Sequence, residues 1–65
     1  MAGNLYPELT RLLKAAGWAL DRQGKGAHEI WKNQDKNKSV TVPSAIRKRH
    51  TANAILKQAG LAKAF

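Results

Sequence analysis

Apolar residues at Leu5, Leu9, Leu12, Leu13 and Ala16 recur at spacings of four, three, one and three, which lays them along one stripe of a 3.6-residue helix. Pro7 fits the first turn, where its missing N–H costs nothing. Glu8 complements the positive helix end, and Gly17 supplies the left-handed backbone that closes the other. The pattern predicts a helix over residues 6–16, with Trp18 folding back on its last turn as core. From Trp18 to Gln23 the period changes to two, that of a half-buried strand. Gly24-Lys25-Gly26 breaks it, and residues 27–32 read as a second strand, so the short glycine-bearing connection predicts an antiparallel hairpin. After a polar turn over 33–37, the β-branched run Lys38-Ser39-Val40-Thr41-Val42 alternates again. Pro43, unable to donate to a ladder, ends this third strand. Residues 44–50 read as a basic loop and Thr51 as the N-cap of a last helix. The apolar positions of that helix, Ala52, Ile55, Leu56 and Ala59, fall at i, i+3, i+4 and i+7, Gly60 terminates it, and Leu61 reads as core.

The order α-β-β-β-α describes an α+β fold, a three-stranded antiparallel sheet with two helices on one face and the other face open to solvent or a ligand. Pairing does not settle which way the second strand faces. His28, Ile30 and Lys32 share one side and Ala27, Glu29 and Trp31 the other. If Ile30 turns to the helices, His28 sits at the rim of the covered face; if Trp31 does, His28 lies on the open one. A partly shielded histidine is easier to hold in one orientation, so the rim is the expected place.

At 65 residues the chain has room for one domain, expected to span 1–65. Cys 0 removes disulfides and thiolate metal sites and fits a reducing compartment, so a soluble cytoplasmic protein is expected. The first residues carry no basic stretch followed by an apolar run, and nothing approaches the roughly 20 apolar residues of a membrane span. Charge changes the picture most. Twelve Lys+Arg against four Asp+Glu give +8 with both His neutral, which calls for an anionic partner. Eight of those cations, Arg22, Lys25, Lys32, Lys36, Lys38, Arg47, Lys48 and Arg49, lie between residues 22 and 49 with Trp31 among them. Cations for phosphates and an exposed ring to stack on a base form the composition of a nucleic-acid surface. The competing readings are a merely solvated basic face and an acidic protein partner. A membrane surface fits less well, because both apolar helix stripes are needed for the core.

His28 is the first candidate for chemistry. It follows Gly24-Lys25-Gly26-Ala27, where glycines let a phosphate approach, and Arg22, Lys25 and Lys32 lie within reach. A histidine there can take a proton from the 2′-hydroxyl of RNA, whose own phosphate is then attacked without a metal or cofactor, while neighbouring cations stabilise the charge on the phosphoryl oxygens. His50, beside Arg49, ranks second. The acids Glu8, Asp21, Glu29 and Asp35 are scattered, which argues against a metal hydrolase or a carboxylate-pair glycosidase, and Gly24-Lys25-Gly26 lacks the spacing of a nucleotide-binding loop.

The fragments Leu12-Leu13-Lys14-Ala15-Ala16-Gly17-Trp18, Gly24-Lys25-Gly26-Ala27-His28-Glu29-Ile30-Trp31, Val40-Thr41-Val42-Pro43 and Ile55-Leu56-Lys57-Gln58-Ala59-Gly60-Leu61, in that order, resemble the HicA (YcfA-like) toxins of toxin–antitoxin modules. The resemblance covers nearly the whole chain. It implies a fold like a double-stranded-RNA-binding domain, an mRNA interferase that cleaves RNA with the His of a Gly-x-His motif, and neutralisation by a HicB antitoxin. That histidine is His28 and its glycine Gly26. The motif often reads Gly-Ser-His, and here Ala27 stands in the middle. The Gly-Thr commonly found before the last helix is His50-Thr51. The resulting expectation is an endoribonuclease with His28 as general acid or base, and Arg22, Lys25, Gly26, Lys32, Arg47, Lys48 and Arg49 on the RNA. Its alternative is a non-catalytic RNA-binding module with the same surface.

Overall fold

The structure, a computed structural model, describes residues 3–65. Five elements follow one another: α1 (Tyr6–Ala15), β1 (Trp18–Gln23), β2 (His28–Asn33), β3 (Lys38–Pro43) and α2 (Arg49–Gln58). The strands form one sheet in the order β1-β2-β3, antiparallel throughout. The α-β-β-β-α order and the antiparallel sheet are as the sequence predicts. Among the described residues no helix is long and apolar enough to cross a membrane.

α1 starts where the Asn4 Oδ1 accepts the Tyr6 N–H at 3.0 Å. Glu8 then pairs with Arg11 one turn on. Its buried stripe is Leu9 and Leu13, with Leu5, Leu12 and Ala16 half-buried beside it. The Thr10 hydroxyl, also buried, donates to the Tyr6 carbonyl at 2.9 Å, so its burial strands no hydroxyl. Gly17, at φ +93°, closes the helix, as Gly60 at +80° closes α2. In α2 the inward positions are Ala52, Ile55 and Leu56, followed by Ala59.

Three features differ from expectation beyond shifts of a residue at element ends. α2 begins at Arg49, after an extended Lys48, so Thr51 lies inside the first turn and is not its N-cap. The anchor is Ile46, which is buried: its N–H donates to Asn4 Oδ1 at 2.8 Å and its carbonyl accepts the Leu5 N–H at 2.6 Å. The chain is pinned there, and the helix starts as soon as it leaves the pin. β1, expected to be half-buried along its length, buries only Trp18, and Leu20 on the helix side is 50% exposed. A bulge at Asp21 is the third, because the register steps from Leu20↔Trp31 to Arg22↔Ile30.

The direction of β2 is settled by β3. Val40 and Val42 are buried under the helices, and the register sets Trp31 opposite Val40 and Glu29 opposite Val42. Trp31 therefore points inward at 2% exposure, and its ring is core rather than the exposed stacking surface that composition implies. His28, Ile30 and Lys32 take the open face; the rim position expected for His28 does not hold.

The covered face carries one ionisable pair. The Tyr6 hydroxyl donates to Glu29 Oε1 at 2.6 Å, and the Trp31 indole N–H donates to the same oxygen at 3.0 Å. Burial first, then the hydrogen bond and the charge of Glu29, push the Tyr6 phenol from 10.0 up to about 12. The folded state thus keeps a proton that the unfolded chain has lost, and stability falls as pH rises from 10 through about 12. Urea unfolding of the wild type beside Tyr6→Phe should therefore give curves that converge across that window, with the wild type ahead below pH 10. Parallel curves would remove the assigned linkage.

Candidate nucleic-acid interface

Backbone hydrogen bonds at one end of the sheet build the segment that presents His28. The Gly24 N–H donates to the His28 carbonyl at 2.7 Å, and the His28 N–H donates to the Lys25 carbonyl at 3.2 Å. The Gln23 side-chain amide spans the same turn, donating to the carbonyls of Gly26 (3.2 Å) and His28 (3.1 Å). Gly26 has φ +59°, a conformation that any residue with a Cβ adopts at a cost. Space is not its constraint, since a Cβ there would meet nothing within 4 Å.

His28 is exposed, and its Nδ1 lies 3.3 Å from the Lys25 carbonyl. A carbonyl can only accept, so Nδ1 is the donor in this contact, which leaves Nε2 to face a ligand. Ile30 and Lys32 follow His28 along the open face. The Asp21 bulge brings Arg22 to the same face. Unbroken alternation from Trp18 would have turned Arg22 toward the helices, whereas opposite Ile30 it stands beside His28 and Lys32. Its guanidinium donates to Asp21 at 2.8 Å, and both side chains are exposed.

The basic run reaches the same end by a different route. The Ser44 N–H donates to the Ala27 carbonyl at 2.7 Å, which extends the β2–β3 ladder by one step before the chain passes Ile46 to Arg47, Lys48 and Arg49, all exposed. α1 starts here too, at Tyr6 against Glu29, and ends at the opposite end, where the Asn33 side chain donates to the Ala16 carbonyl at 3.3 Å. Both helices therefore direct their N-termini toward the His28 end. The structure thus places Arg22, His28 and Lys32 on one face, with Lys25 and Gly26 at the His28 tip and the 47–49 run at the same end. Lys32 lies four residues along β2 from His28, toward the Asn33 end, where it lines a groove with Asp21 and Asp35.

Other cations are not gathered there. Lys36 and Lys38 sit at the opposite end of the sheet, where the Lys36 ammonium lies so close to Gly60 that a Cβ on that glycine would be 3.2 Å away. An ammonium at the C-terminus of α2 complements the helix dipole, a role in stability. His50 opens onto a separate groove on the outer side of α2, with Asn53, Lys57 and Lys63. Among the described residues, no three His, Cys, Asp or Glu side chains come together.

Sequence reasoning missed the residues that hold this arrangement. Gln23 reads as an ordinary strand end, and the helical pattern that begins at Leu5 does not include Asn4. The one signal available was the side-chain amide or carboxamide type beside a turn, which favours local backbone bonding but names no partner.

Comparison with known proteins adds one positive result. A family model described as HicA toxin of bacterial toxin-antitoxin matches residues 6–61, from the first residue of α1 to just past the Gly60 cap. No curated protein and no solved structure gives a significant match.

Proposed function

Because the chain belongs to the HicA toxin family, and so to the toxin side of bacterial toxin–antitoxin modules, we propose that it is a metal-independent endoribonuclease acting on mRNA through His28. The observation that carries this reading is His28 itself: exposed on a cationic face, with Nδ1 held by the Lys25 carbonyl and Nε2 free. Nε2 takes the proton of a ribose 2′-hydroxyl. The resulting alkoxide attacks the adjacent phosphorus, the bond to the 5′-oxygen of the next nucleotide breaks, and that oxygen leaves with a proton returned by the imidazolium or by water. The products are a 2′,3′-cyclic phosphate and a 5′-hydroxyl. Arg22, Lys25 and Lys32 bind the phosphate and stabilise the charge that develops on its oxygens, and Gly26 lets the backbone come close. Arg47, Lys48 and Arg49 extend the RNA surface.

The partner in this reading is a HicB-type antitoxin that covers the same basic face with acidic groups, since one surface can serve substrate and inhibitor alike. The whole chain, 1–65, acts as one domain in the cytoplasm.

Two measurements bear on this. If the six cations Arg22, Lys25, Lys32, Arg47, Lys48 and Arg49 each neutralise a phosphate, the affinity for single-stranded RNA should fall with salt at a log–log slope of about −4. A slope near zero would contradict any nucleic-acid role. An RNA with a single 2′-deoxy substitution at a mapped cleavage site should be uncut there and still bound. Cutting at that position would exclude attack by the 2′-hydroxyl. The second reading, a binding module without chemistry, is favoured by the solitary position of His28 at the site, with His50 opening elsewhere. It gives the same salt slope and no cleavage product.

A further inference from the structure

A groove of about 510 Å³ starts beside His28, crosses the outer edge of β3 and ends against α2. Its lining differs in kind from the rest of the site. Ser39 and Thr41 on the open side of β3 and Thr51 and Gln58 on α2 offer uncharged donors and acceptors, while Val40, Ala54 and Ile55 give it an apolar part. No Lys, Arg, Asp or Glu contributes to it. Among the cations of the site, Arg22 and Lys32 stand on the β1 and β2 part of the open face and Lys25 in the turn, while the 47–49 run leads into Thr51 at one end of the groove without lining it.

We propose that this groove is a base-binding subsite that holds one unpaired nucleobase next to the phosphate presented to His28. This rests on the ribonuclease reading for the role of His28, and the groove's own chemistry supports the rest. Of the parts of a nucleotide, phosphate is drawn to the cations outside the groove. The base is flat and apolar on its faces and carries donors and acceptors on its edges, which is the complement of an apolar floor ringed by hydroxyls and a carboxamide. A volume of about 510 Å³ lies in the range of small-ligand sites, and His28 is the residue common to the groove and the cationic face. A base in a duplex keeps its edge paired, so a base that enters this groove must come from an unpaired stretch. The subsite therefore selects single-stranded RNA, and Gln58, Thr51, Ser39 and Thr41 set which base is preferred beside the cut.

The test uses the intact protein and an uncleavable 2′-O-methyl tetranucleotide, followed by amide NMR shifts, beside an abasic tetranucleotide with the same phosphates. The intact oligonucleotide should shift Thr51 and Gln58 on α2 together with Lys25 and Lys32, and the abasic one only Lys25, Lys32 and their cross-strand neighbours, Ser39 included. Gln58→Ala, at an exposed position that leaves the fold unchanged, should weaken the intact oligonucleotide by roughly threefold to tenfold, the loss of one neutral hydrogen bond, and leave the abasic one unaffected. Ala54→Trp, also exposed, should fill the groove and weaken it further. Identical shift patterns for the two oligonucleotides, unmoved groove amides, or no binding at all overturn the subsite. Because the probe cannot be cut, the outcomes separate: groove shifts in a protein that never cleaves RNA sink the ribonuclease reading alone, and cleavage with unmoved groove amides sinks the subsite alone.

Discussion

His28→Ala should lose RNA cleavage by about 10²- to 10⁴-fold, the range attributed to a positioned general acid or base, while RNA affinity stays within about twofold and the fold survives. The separation follows from how the residue is held. The hydrogen bonds to the His28 backbone, its N–H to the Lys25 carbonyl and its carbonyl from the Gly24 N–H and the Gln23 amide, are independent of its side chain. The imidazole is exposed, so its removal leaves no cavity, and the six cations assigned to phosphate are unchanged. Binding and thermal stability therefore report on a surface that the substitution leaves alone, and cleavage reports on the imidazole. A variant that cleaves at the wild-type rate would remove His28 from the chemistry; one that loses binding in step with cleavage would make it a contact residue only.

Trp31→Ala should unfold the protein. Trp31 is 2% exposed at the centre of the middle strand, stands opposite Val40 and Leu20, and donates its indole N–H to Glu29, while the Lys14 ammonium lies 6.0 Å from its ring centre. Truncation of a buried Trp costs about 3 to 5 kcal/mol through lost transfer energy and a cavity. A single core of this size supplies no more than about 3 to 5 kcal/mol in total. Circular dichroism at 25 °C should show a disordered chain, and a native-like spectrum with a cooperative melt would place the core elsewhere. The other tryptophan provides the contrast. Trp18 is as deeply buried, but among the described residues its indole N–H has no protein partner. Trp18→Phe then forfeits no protein hydrogen bond, whereas Trp31→Phe does, and the second should melt lower than the first.

Both helices were legible because two independent signals agreed on each: an apolar stripe at i, i+3, i+4 and a glycine that takes positive φ at its close, at Gly17 and Gly60. The three strands and their order were legible for the same reason, alternation bounded by turn residues. The orientation of β2 was harder, since Ile30 and Trp31 are both apolar and adjacent. The deciding information lay in β3, where only Val40 and Val42 can serve as core, combined with a register that sequence does not print. The Asp21 bulge was invisible: no glycine or proline marks it, and an unbroken period assigns Arg22 to the wrong face. The start of α2 was misplaced because Thr51 has the side chain of a cap while the true constraint, Ile46 tied to Asn4 and Leu5, comes from more than 40 residues away. The clamp of Asn53 on the Ala64 and Phe65 backbone escaped notice for a like reason, since a side-chain amide shows its type in the sequence and not its partner.

For the candidate site, sequence supplied the residue types and the structure their grouping. His28 stood out beside Gly26, and the cations around it were legible as residue types but not as neighbours in space. Alternation alone would not have put Arg22, His28 and Lys32 on one face, nor brought the 47–49 run to the same end through the Ser44–Ala27 hydrogen bond.

The most direct test is cleavage of a long, end-labelled, single-stranded RNA by the purified protein in EDTA, with His28→Ala prepared identically beside it. The account predicts fragments ending in 2′,3′-cyclic phosphate from the wild type and intact RNA from the variant. Intact RNA in both lanes, bound with the same affinity, would contradict it and leave a protein that holds RNA without cutting it.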